Sequence, residues 1–272
     1  MTNKEVKTKI EDLQAVQNIT DIYQQVAAMR MRKVRDGITN NRSFYQKLSE
    51  IYLETQRCYQ KKSLPRSTNG KGVAILFSSN TGLYGAVVKN VFDQFVEDIN
   101  KSTDDLVITG QLGRNWFQAL MPQKPFKYFD IADGTDSLDA QLKQVYEYVS
   151  KYSSVKVYHG LFKNIVEQPV KVTILTKQIE QNNAEAQTLS FLFEPSIERV
   201  LQTFEKQLLY SFFNQSAYES ALSKYGSRML SLDSATQNVS KMLVETLLMS
   251  SKMKHRVQNK KQLESLSSWR IQ

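Results

Sequence analysis

Residues 196–269, SIERVLQTFEKQLLYSFFNQSAYESALSKYGSRMLSLDSATQNVSKMLVETLLMSSKMKHRVQNKKQLESLSSW, decide the fold, because nothing in them stops a helix. They contain no proline and a single glycine, Gly226. Alternating steps of four and three residues mark one stripe, mostly apolar at first and polar toward the end: Tyr225, Met229, Leu232, Thr236, Val239, Leu243, Thr246, Ser250, Met253, Val257, Lys260 and Glu264. At about 1.5 Å per residue the stretch predicts a helix roughly 100 Å long. A helix with such a seam needs a partner.

The other end of the chain supplies that partner. Residues 4–60 contain no proline and one glycine, Gly37, and they show their own stripe: Val6, Ile10, Leu13, Gln17, Thr20, Gln24, Ala27, Met31, Val34, Ile38, Asn41, Tyr45, Leu48 and Tyr52. Two long helices at opposite ends of a chain pack side by side only if the chain between them folds back. The sequence therefore predicts a long antiparallel coiled coil of residues 1–60 and 196–272. Two helices of a compact bundle are the alternative, although a bundle does not need helices of this length.

The middle of the chain predicts a Rossmann-like α/β domain at residues 73–195, joined by a linker at 61–72 that carries Pro65 and Gly70. Apolar runs alternate with amphipathic stretches, a pattern typical of a mostly parallel sheet covered by helices. Strands are predicted at 73–77, 106–108, 155–158, 169–176 and 191–193. Helices are predicted at 86–99, 114–120 and 137–151, with a short one at 162–166 and a polar loop at 178–188.

Catalytic chemistry is not indicated. The turn after the first strand, Asn80-Thr81-Gly82-Leu83-Tyr84-Gly85, lacks both the G-x-G-x-x-G spacing and the Lys-Ser/Thr of a phosphate-binding loop, so a tight turn without a ligand is the preferred interpretation. The two histidines, His159 and His255, have no metal-ligand spacing around them. We expect no active site, cofactor or metal. Two acidic groups in predicted loops are expected to be solvated: Asp104 with Asp105, and Asp130 with Asp133 and Asp136.

Composition and charge limit the classes of binding partner that the chain is expected to have. The 272 residues carry a net charge of +9, contain no run of about twenty apolar residues, and begin without an apolar signal segment, which predicts a cytosolic compartment. Cys58 is the only cysteine, so an internal disulfide is impossible. Cations concentrate on both long helices: Arg30, Arg32, Lys33 and Arg35 on the first, and Lys252, Lys254, His255, Arg256, Lys260 and Lys261 on the last. A nucleic-acid groove interleaves aromatic residues with its cations. An acidic protein surface is therefore the favoured partner, and a solvated basic surface is the alternative.

These features together resemble the gamma subunit of F-type ATP synthases, the central rotor shaft, over nearly the whole chain. Three groups of residues carry the resemblance: Ile10, Gln17-Asn18-Ile19-Thr20, Val26-Ala27-Ala28 and Met31-Arg32-Lys33 near the start; Asn80-Thr81-Gly82-Leu83-Tyr84-Gly85, similar to the family's Asp-Arg-Gly-Leu-Cys-Gly turn; and Ser227-Arg228-Met229 with Asp233-Ser234-Ala235-Thr236-Gln237-Asn238, similar to its Ala-Arg-Met…Asp-x-Ala-Thr-x-Asn. Their order and spacing, with the helix–sheet–helix plan, identify a divergent member. The absence of a cysteine-bearing insertion argues against the thiol-regulated chloroplast type.

The chain also departs from the family. It has Tyr23 where the family usually has methionine, Asp21 where it has lysine, and Lys254-His255 where an Arg-Gln pair meets a loop of the catalytic subunit, whereas Arg228 and Glu245 are retained. The resemblance implies candidate torque-coupling contacts at Tyr23, Arg30, Arg32, Lys33, Arg228, Glu245, Lys254, His255 and Arg256, and it matches the family's sheet-domain turn at Gly82, Leu83, Tyr84 and Gly85.

The resemblance implies a function for the whole chain. It would be a non-catalytic rotor that transmits torque between a proton-driven membrane ring and an alpha/beta catalytic head, coupling proton transport to ATP synthesis or hydrolysis. Its partners would be the alpha and beta subunits, an epsilon/delta-type central-stalk subunit and the c-ring, with no nucleic acid and no small-molecule ligand of its own. It would lie peripherally on the cytoplasmic side of a bacterial inner membrane, or on the matrix side of the mitochondrial inner membrane. The alternative is a rotor-derived coiled-coil scaffold, or the shaft of a specialised ATPase not coupled to protons.

Overall fold

The computed structural model describes residues 2–57, 68–133, 138–175, 194 and 196–269. Its elements, in chain order, are α1 (Asn3–Arg57), β1 (Gly72–Phe77), α2 (Val87–Ile99), β2 (Asp105–Thr109), α3 (Gln111–Leu120), β3 (Lys127–Phe129), α4 (Leu138–Val149), β4 (Ser154–Gly160), β5 (Val170–Ile174) and α5 (Ile197–Trp269). The predicted loop at 178–188 and strand at 191–193 lie outside the described residues. The predicted fold class, an α/β chain with two long terminal helices, is confirmed.

The five strands form one sheet in the order β3-β2-β1-β4-β5. The first four run parallel, and β5 pairs antiparallel with β4. Because β1 lies in the centre, its side chains alternate between two cores. Val73 and Ile75 pack with α4 and with Phe213 of α5, whereas Ala74 and Leu76 pack with α2 and α3. The sheet is thus covered on both faces, which explains the continuous apolar run of β1.

Two local predictions differ from the structure. Residues 162–166, predicted as a short helix, are not helical, and residues 163–166 form a series of bends. The side-chain oxygen of Asn164 accepts hydrogen bonds from the backbone N–H groups of Val166 and Glu167, both at 2.8 Å, and so competes with helical bonding. The strand β3 was not predicted. It has three residues on the sheet edge, none of them buried, so its apolar signal is weak.

The chain groups into two compact units, residues 1–27 with 229–272 and residues 28–228. The division into a linker, an α/β domain and two terminal helices at the predicted boundaries stays a prediction.

In the first unit, α1 and α5 run antiparallel. Gln17 Nε2 donates to Ser240 Oγ at 3.2 Å, and Thr236 Oγ1 donates to Thr20 Oγ1 at 3.0 Å, so rising numbers on α1 meet falling numbers on α5. This register places Met253 opposite the first residues of α1. The predicted stripe of α5 is accordingly buried or half-buried up to Met253 and exposed at Val257 and beyond, because α1 begins at Asn3, opposite Met253.

In the second unit, the remaining parts of the same two helices also meet. Asn41 Nδ2 donates to the backbone oxygen of Ser211 at 3.0 Å. Four buried side chains pack together beside this contact: Leu48, Tyr52, Leu201 and Leu208. Within the described part of the chain, no helix contains a stretch apolar enough to cross a membrane.

Candidate functional site

The turn between β1 and α2, residues 80–85, lies at the carboxyl end of the central strand, where open α/β sheets usually bind ligands. Leu83 adopts φ +64° and Gly85 φ +55°. A left-handed conformation is ordinary for glycine but costs energy for leucine, so the surroundings must hold Leu83 in place. Its side chain is 66% exposed. The turn therefore presents a strained apolar residue to solvent.

The carboxylate of Asp133 is hydrogen-bonded to the start of the turn. Asp133 Oδ2 accepts from the backbone N–H groups of Asn80 and Thr81, both at 2.9 Å, and from Thr81 Oγ1 at 3.0 Å. The Asp133 side chain is only 9% exposed, so the expectation that it is solvated is wrong. The expectation also fails for Asp104, which is 17% exposed and paired with Lys156 at 2.8 Å. Both acids sit in loops, but contacts from distant residues bury them, and Asp136 lies outside the described residues.

Two cations of α5 complete the arrangement. Lys224 Nζ lies 3.6 Å from Asp133 Oδ1 and donates to the backbone oxygen of Ser78 at 2.9 Å. Burial lowers the pKa of Lys224, and the charge of Asp133 opposes that shift.

Arg228 grips the turn itself. Its terminal nitrogen donates to the Gly82 oxygen at 2.7 Å and to Thr81 Oγ1 at 3.2 Å, and Nε donates to the Leu83 oxygen at 3.3 Å. The guanidinium lies 3.9 Å from the ring centroid of Tyr84. Burial of the Tyr84 hydroxyl, and secondly the negative charge of Asp133, raise the pKa of Tyr84 to about 12. These bonds explain how Leu83 is held in its strained conformation.

The crevice at this edge of the sheet is filled by α5. A side chain at Gly160 would place its Cβ 2.3 Å from Ser223 Oγ, so only glycine allows the helix to approach β4 this closely. The cavity that remains beneath the turn measures about 30 Å³, far less than the several hundred Å³ of a typical ligand pocket. Among the described residues, no group of three or more His, Cys, Asp or Glu side chains could hold a metal. The site is a clamped turn without room for a nucleotide.

The other predicted site residues are distributed over both units. In the second unit, Arg30 is half-buried and hydrogen-bonds with Tyr225, whereas Arg32 and Lys33 are exposed. In the first unit, Tyr23 is 48% exposed and Glu245 is exposed. Arg228 differs from these, since it is 8% exposed and bonded within the chain. The structure thus brings Arg228 to the predicted turn, and the roles of all these residues as coupling contacts stay predictions.

Lys254, His255 and Arg256, hereafter the basic cluster, are all exposed on α5. They follow Met253 directly, at the point where the register of α1 ends. No residue of α1 is therefore positioned to cover them, and their side chains are available to other surfaces.

Sequence reasoning missed Asp133 and Lys224 as site residues. The available signal was a set of small residues around Lys224 at helical spacing, Ser220, Ser223 and Ser227, all of which are buried. A helix face of small side chains permits close packing against a neighbouring element, and a lysine next to that face is buried by the same packing. Nothing comparable marks Asp133 in the sequence.

Comparison with known proteins decides the family. A family model described as ATP synthase matches residues 2–255, which include α1, the whole sheet and α5 as far as residue 255. The chain belongs to this ATP synthase family. Similar curated proteins are the ATP synthase gamma chain of Symbiobacterium thermophilum, 26% identical over 257 residues with 90% of this chain and 89% of that protein covered, and that of Ruthia magnifica, 26% identical with 92% of each covered. The prediction of a divergent member of the gamma-subunit family is confirmed.

Solved ATP synthase structures share the fold of this member. The chain aligns with the central stalk of the Tetrahymena thermophila mitochondrial ATP synthase at a TM-score of 0.55 and 20% identity, covering 80% of this chain and 99% of that one. It aligns with a chain of the Euglena gracilis mitochondrial enzyme in rotational state 3 at a TM-score of 0.64 and 12% identity, covering 98% of this chain and 94% of that one. At these identities the likeness is one of fold.

Proposed function

We propose that the chain is the central-stalk rotor of an ATP synthase, a non-catalytic subunit that transmits torque. The observation that carries this function is the ATP synthase family match over residues 2–255. The match runs through both long helices, so it includes the parts that would form a shaft. The fold that the chain shares with chains of ATP synthase structures described as central stalk and as rotor supports the same function.

The second unit has the rigidity that torque transmission requires. Phe213 and Ala217 of α5 belong to the same buried core as β1 and α4. Tyr218 Oη donates to Asp139 Oδ1 at 2.6 Å, and Lys171 pairs with Glu219 at 3.4 Å. Because apolar packing and directional polar contacts both fix this part of α5 to the sheet, the sheet and the part of α5 within the second unit would turn together.

The partners follow from this role. The two helices of the first unit would enter a head of alpha and beta subunits, where Tyr23, Glu245 and the basic cluster would make coupling contacts. The sheet and its helices would meet an epsilon/delta-type subunit and the c-ring, so that proton transport drives ATP synthesis or is driven by hydrolysis. The chain would lie peripherally at the membrane, on the cytoplasmic side in a bacterium or on the matrix side in a mitochondrion.

Co-expression with the alpha- and beta-type subunits of the same organism tests the proposal. We expect one copy of the chain to co-purify with the head, and a bead fixed to the sheet region to rotate when ATP is hydrolysed. A head that assembles, hydrolyses ATP and never retains the chain would contradict the rotor function. Proton pumping by the membrane complex then separates a proton-coupled rotor from the shaft of a specialised ATPase.

A further inference from the structure

We propose that the space beneath the β1–α2 turn is an anion-binding site whose resident anion is the chain's own Asp133 carboxylate. The ligand class is a small oxyanion such as phosphate or sulfate, and Asp133 occupies its place. The inference goes beyond the rotor function and does not depend on rotation.

The donors are those of an anion site. Successive backbone N–H groups that converge from one turn form a concave cradle for negative charge. Here the N–H groups of Asn80 and Thr81 and the Thr81 hydroxyl all point at one oxygen, Asp133 Oδ2, at 2.9–3.0 Å. The cradle follows the central strand of a parallel sheet, the position from which related architectures bind the phosphates of dinucleotides.

The charges around the cradle also favour an anion. Lys224 Nζ lies 3.6 Å from Asp133 Oδ1, and its side chain is 15% exposed. Arg228 donates to Thr81 Oγ1, the same hydroxyl that donates to the carboxylate, so the guanidinium polarises that donor. One exposed acid opposes them, because Asp130 Oδ1 accepts from Asn80 Nδ2 at 2.7 Å. Two cations therefore face one buried carboxylate and one exposed one.

The cradle has more binding capacity than Asp133 uses. The Ser78 hydroxyl is a buried donor group with no hydrogen-bond partner among the residues that the structure describes, and Asp133 Oδ1 is buried there without a hydrogen bond as well, so the resident carboxylate leaves one donor of the space unused. Both residues line the cavity of about 30 Å³, a volume that accommodates one water. Truncation of Asp133 to alanine adds the volume of the carboxylate to this cavity. The enlarged space, with the Ser78 hydroxyl and Lys224 ammonium on its wall, suits a tetrahedral oxyanion.

The resident carboxylate has two consequences for the intact chain. It excludes phosphate and the phosphate groups of nucleotides, because their place is taken by a group attached to the chain at very high effective concentration. It also joins the turn to α5, because the same carboxylate contacts the backbone of the turn and faces Lys224.

The test compares full-length chains in their ability to bind inorganic phosphate. Titration calorimetry and ³¹P NMR should detect one saturable site in Asp133→Ala, with a Kd on the order of 1 mM or tighter. The wild-type chain should bind at least about tenfold more weakly. Asp130→Ala is the matched control, since it removes the same charge from the same loop after β3 without vacating the cradle, and it should behave as wild type. Adding Lys224→Met to Asp133→Ala should abolish the new site.

Protein stability provides a second readout. The melting temperature of Asp133→Ala should rise saturably with phosphate and not with chloride at equal ionic strength, because a ligand stabilises the state that binds it. If Asp133→Ala does not fold, Asp133→Ser, which also removes the carboxylate and vacates the cradle, should show this rescue by phosphate. Absence of saturable binding to folded Asp133→Ala, equal binding by Asp130→Ala, or failure of phosphate to rescue either variant would overturn the proposal.

Discussion

Replacement of Arg228 by alanine should destabilise the second unit by about 2–5 kcal/mol. The 2.7 Å bond from the guanidinium to the Gly82 oxygen contributes about 1.5–3 kcal/mol, because its donor is charged. The stacking on Tyr84 at 3.9 Å adds about 0.5–2 kcal/mol. The bonds to Thr81 at 3.2 Å and to Leu83 at 3.3 Å are longer and weaker. Because Leu83 is exposed, water replaces the bond to its backbone oxygen in the variant. The total lies among the larger effects of single substitutions.

Urea unfolding monitored by tryptophan fluorescence measures this loss. A Trp269→Phe background leaves Trp116 of α3 as the reporter, so the signal follows the sheet and its helices. With a slope of about 2–3 kcal/mol/M, the midpoint should fall by about 1–2 M. Arg228→Lys keeps the charge but loses the forked donors, and should fall between wild type and alanine. Arg32→Ala, at an exposed position on α1, should change stability by no more than about 0.5 kcal/mol. An Arg228→Ala midpoint as close to wild type as that of Arg32→Ala would refute the reasoning.

Three further predictions concern pH, the helix pair and coupling. Burial lowers the pKa of His159 to about 4, below the value of about 6.5 in the unfolded chain. As the pH falls, the unfolded state therefore binds the proton before the folded state does. The free energy of unfolding should decrease as the pH drops from about 6.5 to 4. His159→Gln should flatten this slope in urea unfolding, whereas the exposed His255→Gln should leave it unchanged. Thr20→Val should cost about 1 kcal/mol of stability because the hydroxyl of Thr236 loses its acceptor. The double variant Thr20→Val, Thr236→Val should recover part of that loss in thermal melts followed by circular dichroism at 222 nm. Strict additivity of the two single losses would show that the two hydroxyls do not interact. Alanine at all three positions of the basic cluster should leave assembly with the head intact, since exposed ion pairs contribute about 0.2–1 kcal/mol each, but should slow ATP turnover, most at low salt; unchanged turnover at every salt concentration would reduce the cluster to surface charge.

The sequence by itself determined the long helices, most of the sheet and the family. The stripe that begins at Tyr225 and the stripe that begins at Val6 are local periodic patterns, and a periodic pattern is preserved whatever the rest of the chain does. The run at 73–77 likewise marked the central strand, since only a strand covered on both faces is apolar at every position. The resemblance to gamma subunits rested on short motifs in a fixed order, which are also visible in one dimension.

Only the tertiary structure decided the site. Arg228 bonds the backbone oxygen of Gly82, 146 positions earlier in the chain, a contact that no local sequence pattern indicates. Asp133 was expected in solvent, but the backbone of Thr81, 52 positions earlier in the chain, buries and binds it. The sequence identifies a polar residue in a loop, but whether that residue is buried depends on which distant groups the fold brings within hydrogen-bond distance. The exposure of the end of α5 also depends on tertiary structure. The register between α1 and α5, rather than the apolar pattern on either helix, determines where α1 stops covering α5.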